Sequence, residues 1–205
     1  MVSEHYFTES PSSEAKTREL RLELAGREVT VETVSGTFSP TRLDLGTSVL
    51  LRHLPEPPAG DVLDLGCGWG PIALHTALEA RDAEVELRVW ALDVNSRSLE
   101  TTAVNARRLG LETVRTVTAE DIPAEVQFAA IRSNPPIRIG KEALHELLET
   151  WLPRLAPDGR ADLVVSKNLG ADSLQKWIAG MLGDGFEVVR TGSSKGFRVL
   201  TIHRG

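Results

Sequence analysis

Two periodicities divide the chain. Leu20, Leu22 and Leu24 are interleaved with charged residues, and Val29, Val31 and Val34 follow a turn signal at Ala25-Gly26. A period of two broken by a turn predicts a β-hairpin. A short helix over 47–54 follows, stopped by the proline-rich stretch Pro55–Pro58. From Asp61 the rhythm changes to short apolar runs alternating with helical stretches. Strands are predicted over 61–65, 85–94, 113–118, 128–133, 161–166, 186–191 and 197–203. Helices are predicted over 71–80, 96–109, 141–155 and 173–182, the second opened by Ser96 as N-cap and closed at Gly110. Strand–helix alternation implies a mostly parallel sheet with helices on both faces. The last two strands are joined too tightly for a crossover, so they pair antiparallel at or near one edge. The fold class is therefore doubly wound α/β, with a small N-terminal β-hairpin extension over residues 1–45 and the main domain over 46–205.

Composition narrows the setting. The 205 residues carry a net charge of −6 and a single cysteine, Cys67, so no internal disulfide can form. One cysteine and no apolar run of about 18–20 residues suit a reducing, cytoplasmic compartment, away from any membrane. The acidic balance argues against a protein that coats nucleic acid by charge alone. The tail from Phe186 onward is locally basic, with Arg190, Lys195, Arg198 and Arg204 against Glu187. The five histidines are scattered and match no metal-ligand spacing, so no metal is expected.

The chemistry gathers at successive strand ends. Asp64-Leu65-Gly66-Cys67-Gly68-Trp69-Gly70 follows the first strand of the main domain and opens a helix at Pro71. Glycines there let the backbone turn and approach a ligand. Pro71 removes one N–H that a phosphate would use, so the loop suits a ligand without pyrophosphate. Asp93, in Leu92-Asp93-Val94-Asn95, can accept hydrogen bonds from both hydroxyls of a ribose, and Asp121, in Glu120-Asp121, can accept an adenine amine. The fourth element is Ser133-Asn134-Pro135-Pro136-Ile137. Two prolines give a rigid turn without N–H donors, and Asn134 adds a side-chain carbonyl. Such a cluster of acceptors suits a planar –NH₂ group.

In this order and spacing, Asp64–Gly70, Asp93 and Asn134–Ile137 resemble the Rossmann-like (class I) S-adenosyl-L-methionine-dependent methyltransferases of amino groups. Gly46-Thr47 ahead of a short helix, with Ser133–Arg138 and Gly140-Lys141, is similar to the small-domain branch, which includes enzymes that methylate N2 of a guanine in small-subunit ribosomal RNA. The resemblance covers about residues 36–205 and implies a seven-stranded sheet. It implies that Asp64, Gly66, Cys67, Gly68, Gly70, Asp93, Val94 and Asp121 bind the donor, with Thr47 at its methionine end and Asn134 close by. Asn134, Pro135, Pro136 and Ile137 would form the catalytic turn for the target amine. Relatives usually carry an aromatic residue where this chain has Ile137. The implied partner is RNA of the small ribosomal subunit or its precursor, with the N-terminal hairpin as a contact module; nothing in the pattern bears on oligomeric state. Two other readings stand beside this one: transfer to a glutamine amide of a protein, and a non-catalytic donor-binding assembly factor. Cys67 lies in the donor loop, away from the acceptor turn, and is not expected to act as a nucleophile.

Overall fold

The computed structural model describes residues 14–136 and 140–205. Strands β1 (Thr17–Leu24) and β2 (Arg27–Val34) form the expected hairpin, with Leu20 opposite Val31 and Leu22 opposite Val29. The two-residue loop has both φ values positive, Ala25 at 48° and Gly26 at 70°, as a type I′ turn requires. One face of the hairpin is apolar, and Leu24, Val29 and Val31 bury it. They join Leu74 and Leu78 of the helix α2 (Pro71–Asp82) in one cluster.

The described residues also hold a seven-stranded sheet built from β3 (Gly60–Leu65), β4 (Leu87–Leu92), β5 (Val114–Val117), β6 (Phe128–Ser133), β7 (Leu155–Ser166), β8 (Phe186–Ser194) and β9 (Phe197–Arg204). Its order is β5-β4-β3-β6-β7-β9-β8, parallel as far as β7, with β9 antiparallel to both β7 and β8. Helices α1 (Leu45–Leu51), α2, α3 (Ser96–Arg108), α4 (Lys141–Trp151) and α5 (Ala171–Leu182) complete the doubly wound architecture.

Several boundaries differ from the sequence pattern, among them those of α1 (Leu45–Leu51, expected 47–54) and β4 (Leu87–Leu92, expected 85–94). The N-cap of α3 is Asn95, whose Oδ1 accepts from the Arg97 and Ser98 N–H groups, and Ser96 is already helical. Helix α4 stops at Trp151, not Leu155, because Pro153 constrains Leu152 and lacks a donor. Strand β7 starts at Leu155, which pairs with Phe128; the register then shifts and regular pairing resumes at Arg160 opposite Ala130.

One row of the sheet is polar. Asp64, Arg132 and Asp162 are side-by-side neighbours on β3, β6 and β7, each about 1% exposed. Arg132 donates to Thr76 Oγ1 of α2 at 2.6 Å, and Asp162 accepts from Thr201 of β9 and from Arg160. Alternating charge lets three ionisable groups share an interior that would penalise any of them alone.

His75 of α2 fastens the hairpin. Its Nδ1 accepts the Ala25 N–H at 3.1 Å, and its Nε2 lies 3.2 Å from Glu79. Burial, reinforced by Arg132, holds the imidazole pKa down to about 4. The unfolded chain therefore takes up a proton between about pH 6.5 and 4 where the folded chain does not, and stability falls as pH drops through that window, by about 3 kcal/mol in full. Asp64, pushed up to about 7 by its burial, works in the opposite sense. The difference between wild type and His75→Asn in urea unfolding at pH 7 and pH 4.5 isolates the histidine. Asparagine keeps an acceptor for Ala25 without titrating, so an unchanged pH slope would refute this assignment.

Candidate active site

A cavity of about 640 Å³ opens beyond the carboxyl ends of β3, β4, β6 and β7, the place where doubly wound sheets bind ligands. One wall is the loop after β3. The Gly66 and Cys67 N–H groups both donate to Leu92 O at 2.9 Å, which ties the loop to β4. Gly66 and Gly68 line the cavity. Gly70 serves a different need: its φ is 96°, and a Cβ there would stand 2.9 Å from the Thr102 side chain. The loop can turn into α2 only because that space is left free.

Asp93 stands at the end of β4 and lines the cavity with Val94. Its carboxylate accepts from the Gly68 N–H and the Asn95 N–H, both at 2.9 Å. Burial outweighs these bonds and lifts its pKa above the ordinary carboxylate value. The loop and the acid are thus one preassembled unit on the cavity wall.

Asp64 lies behind that wall. Its Oδ2 accepts the Ala73 N–H at 2.9 Å, which caps α2 from the neighbouring strand, and its buried Oδ1 has no hydrogen-bond partner. Cys67 and Trp69 are also buried behind the loop. Burial pushes the Cys67 thiol well up, away from the thiolate that a nucleophile needs. Asp121 is outside the lining: its carboxylate folds back onto the Thr118 N–H and hydroxyl, both at 2.8 Å, and Ala119 occupies the nearby wall.

The adjoining wall is Asn134-Pro135-Pro136, directly after β6. Ser133 anchors the turn by donating to Leu65 O at 2.6 Å. The Asn134 Nδ2 donates to Asp44 Oδ2 at 2.9 Å and to Thr47 Oγ1 at 3.0 Å. Thr47 is only 2% exposed and stands behind Asn134. Ile137 lies outside the described residues.

Several lining residues escaped the sequence reading. The segment before α1 contributes Thr37, Phe38, Ser39, Pro40 and Asp44. Asn95 holds this segment in place by donating to Gly36 O at 2.9 Å. On the far side stand Trp151 of α4 and Phe197 of β9. Phe197 packs so closely on α1 that a Cβ on Gly46 would meet its ring at 2.9 Å and Asp44 Oδ2 at 3.0 Å. The one available signal was a glycine in the first turn of a helix, a poor helix former kept where two side chains converge. Among the described residues no group of side chains is arranged to hold a metal ion, and no helix is long and apolar enough to cross a membrane.

Comparison with known proteins identifies the family. The methyltransferase small domain family matches residues 28–201. An uncharacterised protein of Bacillus subtilis, YbxB, is 33% identical over 176 residues, covering 84% of this chain and 86% of that protein. Ribosomal RNA small subunit methyltransferase C of Stutzerimonas stutzeri is 36% identical over 148 residues, covering 72% of this chain and 43% of its own length. Among solved structures, the T. thermophilus 16S rRNA N2 G1207 methyltransferase, in complex with AdoMet and guanosine, superposes with a TM-score of 0.77 at 21% identity. It covers 95% of this chain and 52% of its own, so the chain spans about half the length of such named methyltransferases. With its Rossmann-like sheet, its strand-end cavity and the match over 28–201, the chain belongs to the methyltransferase small domain family.

Proposed function

We propose that the chain transfers a methyl group from S-adenosyl-L-methionine to an amino nitrogen, foremost the exocyclic N2 of a guanine in 16S ribosomal RNA. The observation that carries this reading is one cavity lined both by Gly66, Gly68 and Asp93 and by Asn134 and Pro135. Donor and acceptor walls face the same space.

The residues present fit a positively charged nucleoside donor. The cavity has the size of a ligand site, which typically runs to about 300–1,000 Å³. Its lining carries Asp44 and Asp93 but no lysine or arginine among the described residues. Asp64 lies just behind with an unpartnered buried oxygen. Asp93 would hold the ribose hydroxyls, and Gly66 and Gly68 would let the donor lie against bare backbone. When bound, S-adenosyl-L-methionine supplies a methyl group activated by a sulfonium. Asn134 Oδ1 and the Pro135 carbonyl accept the two N–H bonds of the target amine. The nitrogen lone pair is then turned out of conjugation and aimed along the cavity. Holding two reactants in register is the main contribution asked of the chain, and effective molarities for such alignment reach about 10⁵–10⁸ M.

A flat acceptor is supported by Phe197. The position after the prolines is aliphatic, yet a half-buried aromatic ring lines the cavity beside Asp44. Lys167 and Lys195 are exposed on the two segments joined by the bond from Lys167 N–H to Gly196 O, which gives this rim two cations for phosphates. Phe197→Ala is expected to raise KM for RNA by roughly 5- to 150-fold, the value of one base–aromatic stack of ~1–3 kcal/mol. Phe197→Tyr should restore it, and donor affinity should not move. An unchanged KM would remove the ring from the acceptor site.

The direct test is transfer of labelled methyl from S-adenosyl-L-methionine into an extract of cells lacking the protein, followed by digestion to nucleosides. Label recovered as N2-methylguanosine from 16S ribosomal RNA supports the proposal. Label in protein would move the acceptor to a glutamine amide. Donor binding with no label anywhere would favour a non-catalytic assembly factor.

A further inference from the structure

We infer that Asp44 is a positioning residue that holds the Asn134 side chain with its carbonyl oxygen toward the cavity, so that the acceptor amine meets an oxygen and not an –NH₂ group. The inference rests on Asn134 being the amine-binding group proposed above.

The two ends of an asparagine amide have nearly the same shape, and only the surrounding partners decide which end points where. Turned the wrong way, Asn134 would present two hydrogens to the hydrogens of the incoming amine. Thr47 alone cannot prevent this, because a hydroxyl donates as readily as it accepts. A carboxylate only accepts. With Asp44 Oδ2 at 2.9 Å, the amide nitrogen must face α1, and a flipped amide would set oxygen against oxygen. Asp44 and Thr47 together occupy both hydrogens of Nδ2, which leaves Oδ1 as the end turned to the cavity.

Asp44 is itself held. It is the N-cap of α1: its Oδ2 accepts the Thr47 N–H at 3.0 Å, and its backbone carbonyl accepts the Ser48 N–H at 2.8 Å. Gly46 leaves the room in which Asp44 and the Phe197 ring approach each other. The run Asp44-Leu45-Gly46-Thr47 thus joins a helix cap to the orientation of a side chain 90 residues away in sequence. This gives Thr47 a different task from the donor contact that the family resemblance implied, since its hydroxyl is engaged with Asn134.

The first readout does not depend on activity. In ¹⁵N-labelled protein the Asn134 side-chain amide hydrogens should be protected from exchange, and Asp44→Ala should abolish the protection. An amide that exchanges in wild type as freely as an exposed one would overturn the inference. In transfer assays Asp44→Ala should lower kcat by about 100-fold, the scale of loss expected of a misplaced reacting group. Asp44→Asn keeps an oxygen for both donors and should recover kcat to within about fivefold of wild type, because a neutral hydrogen bond replaces a charge-assisted one. If Asp44→Asn is as impaired as Asp44→Ala, the charge acts directly and positioning is refuted. In an Asn134→Ala background, Asp44→Ala should add nothing further, since its effect passes through Asn134; a full additional loss would also refute it. Thr47→Val leaves the backbone cap intact and provides the check should Asp44→Ala fold poorly: kcat should fall by about 10-fold with the melting temperature retained, and an unchanged kcat would count against the clamp. If the amide is protected as described but Asn134→Ala transfers at the wild-type rate, the amine pocket fails while the orientation by Asp44 stands.

Discussion

Asn134→Ala should lower methyl transfer by at least about 100-fold while leaving donor affinity nearly unchanged, because the lost group acts on the acceptor alone. Removing one preorganised hydrogen-bonding group from a reacting centre costs roughly 10²–10³ in kcat. The site gives reason to expect the full effect. The Asn134 side chain is held from behind by Asp44 and Thr47. The turn around it is fixed by Pro135 and Pro136 and by the Ser133 bond to Leu65. Truncation should therefore leave the fold in place and remove one acceptor. Single-turnover transfer beside calorimetric donor titration separates the two quantities. A wild-type rate in the variant would sink the amine pocket, whereas a matching fall in donor affinity would mean that Asn134 belongs to the donor wall.

The complementary result concerns Asp93. Asp93→Ala should weaken donor binding by ~2–4 kcal/mol, roughly 30- to 1,000-fold, through loss of charge-assisted bonds to ribose hydroxyls. Part of the loss is indirect, since the same carboxylate holds the Gly68 and Asn95 N–H groups and so shapes the glycine loop. Asp93→Asn keeps one acceptor and should fall between wild type and alanine. Calorimetry with S-adenosyl-L-methionine reads both, and unchanged affinity in Asp93→Ala would place the donor elsewhere.

Much of this arrangement is legible in the residues alone. The alternation of Leu20 to Val31 gives the hairpin and its buried face, and the apolar runs give all seven strands of the main sheet in chain order. The glycine loop, Asp93 and the Asn134-Pro135-Pro136 turn are visible because each is continuous in sequence and sits at a strand end. What stays hidden depends on pairs distant in the chain. Asp44 reads as an ordinary helix cap until folding brings it to Asn134. Phe197 reads as one more apolar residue of a terminal strand, and nothing local says that its ring faces the cavity. Asp64 and Asp121 show the reverse case: their positions suggest ligand contact, and in the fold neither lines the cavity, while one carboxylate oxygen of each accepts a backbone N–H, from Ala73 and from Thr118 respectively. The early end of α4 was readable from Pro153, whose effect on Leu152 outweighs the helical spacing of the preceding residues.

The place of β9 has a consequence for how the molecule is made. It follows β8 in the chain yet lies between β7 and β8 in the sheet. While residues 197–204 are still unsynthesised, β7 offers an unpaired edge bearing Leu163, Val164 and Val165, all fully buried in the finished fold. Such an edge is a template for pairing with other chains, and large domains pass through states that expose it. The emerging polypeptide cannot shield that edge with β8, which has no partner of its own until β9 arrives. Sheet closure and the delivery of Phe197 to the cavity wall therefore belong to one step, the insertion of β9 between β7 and β8.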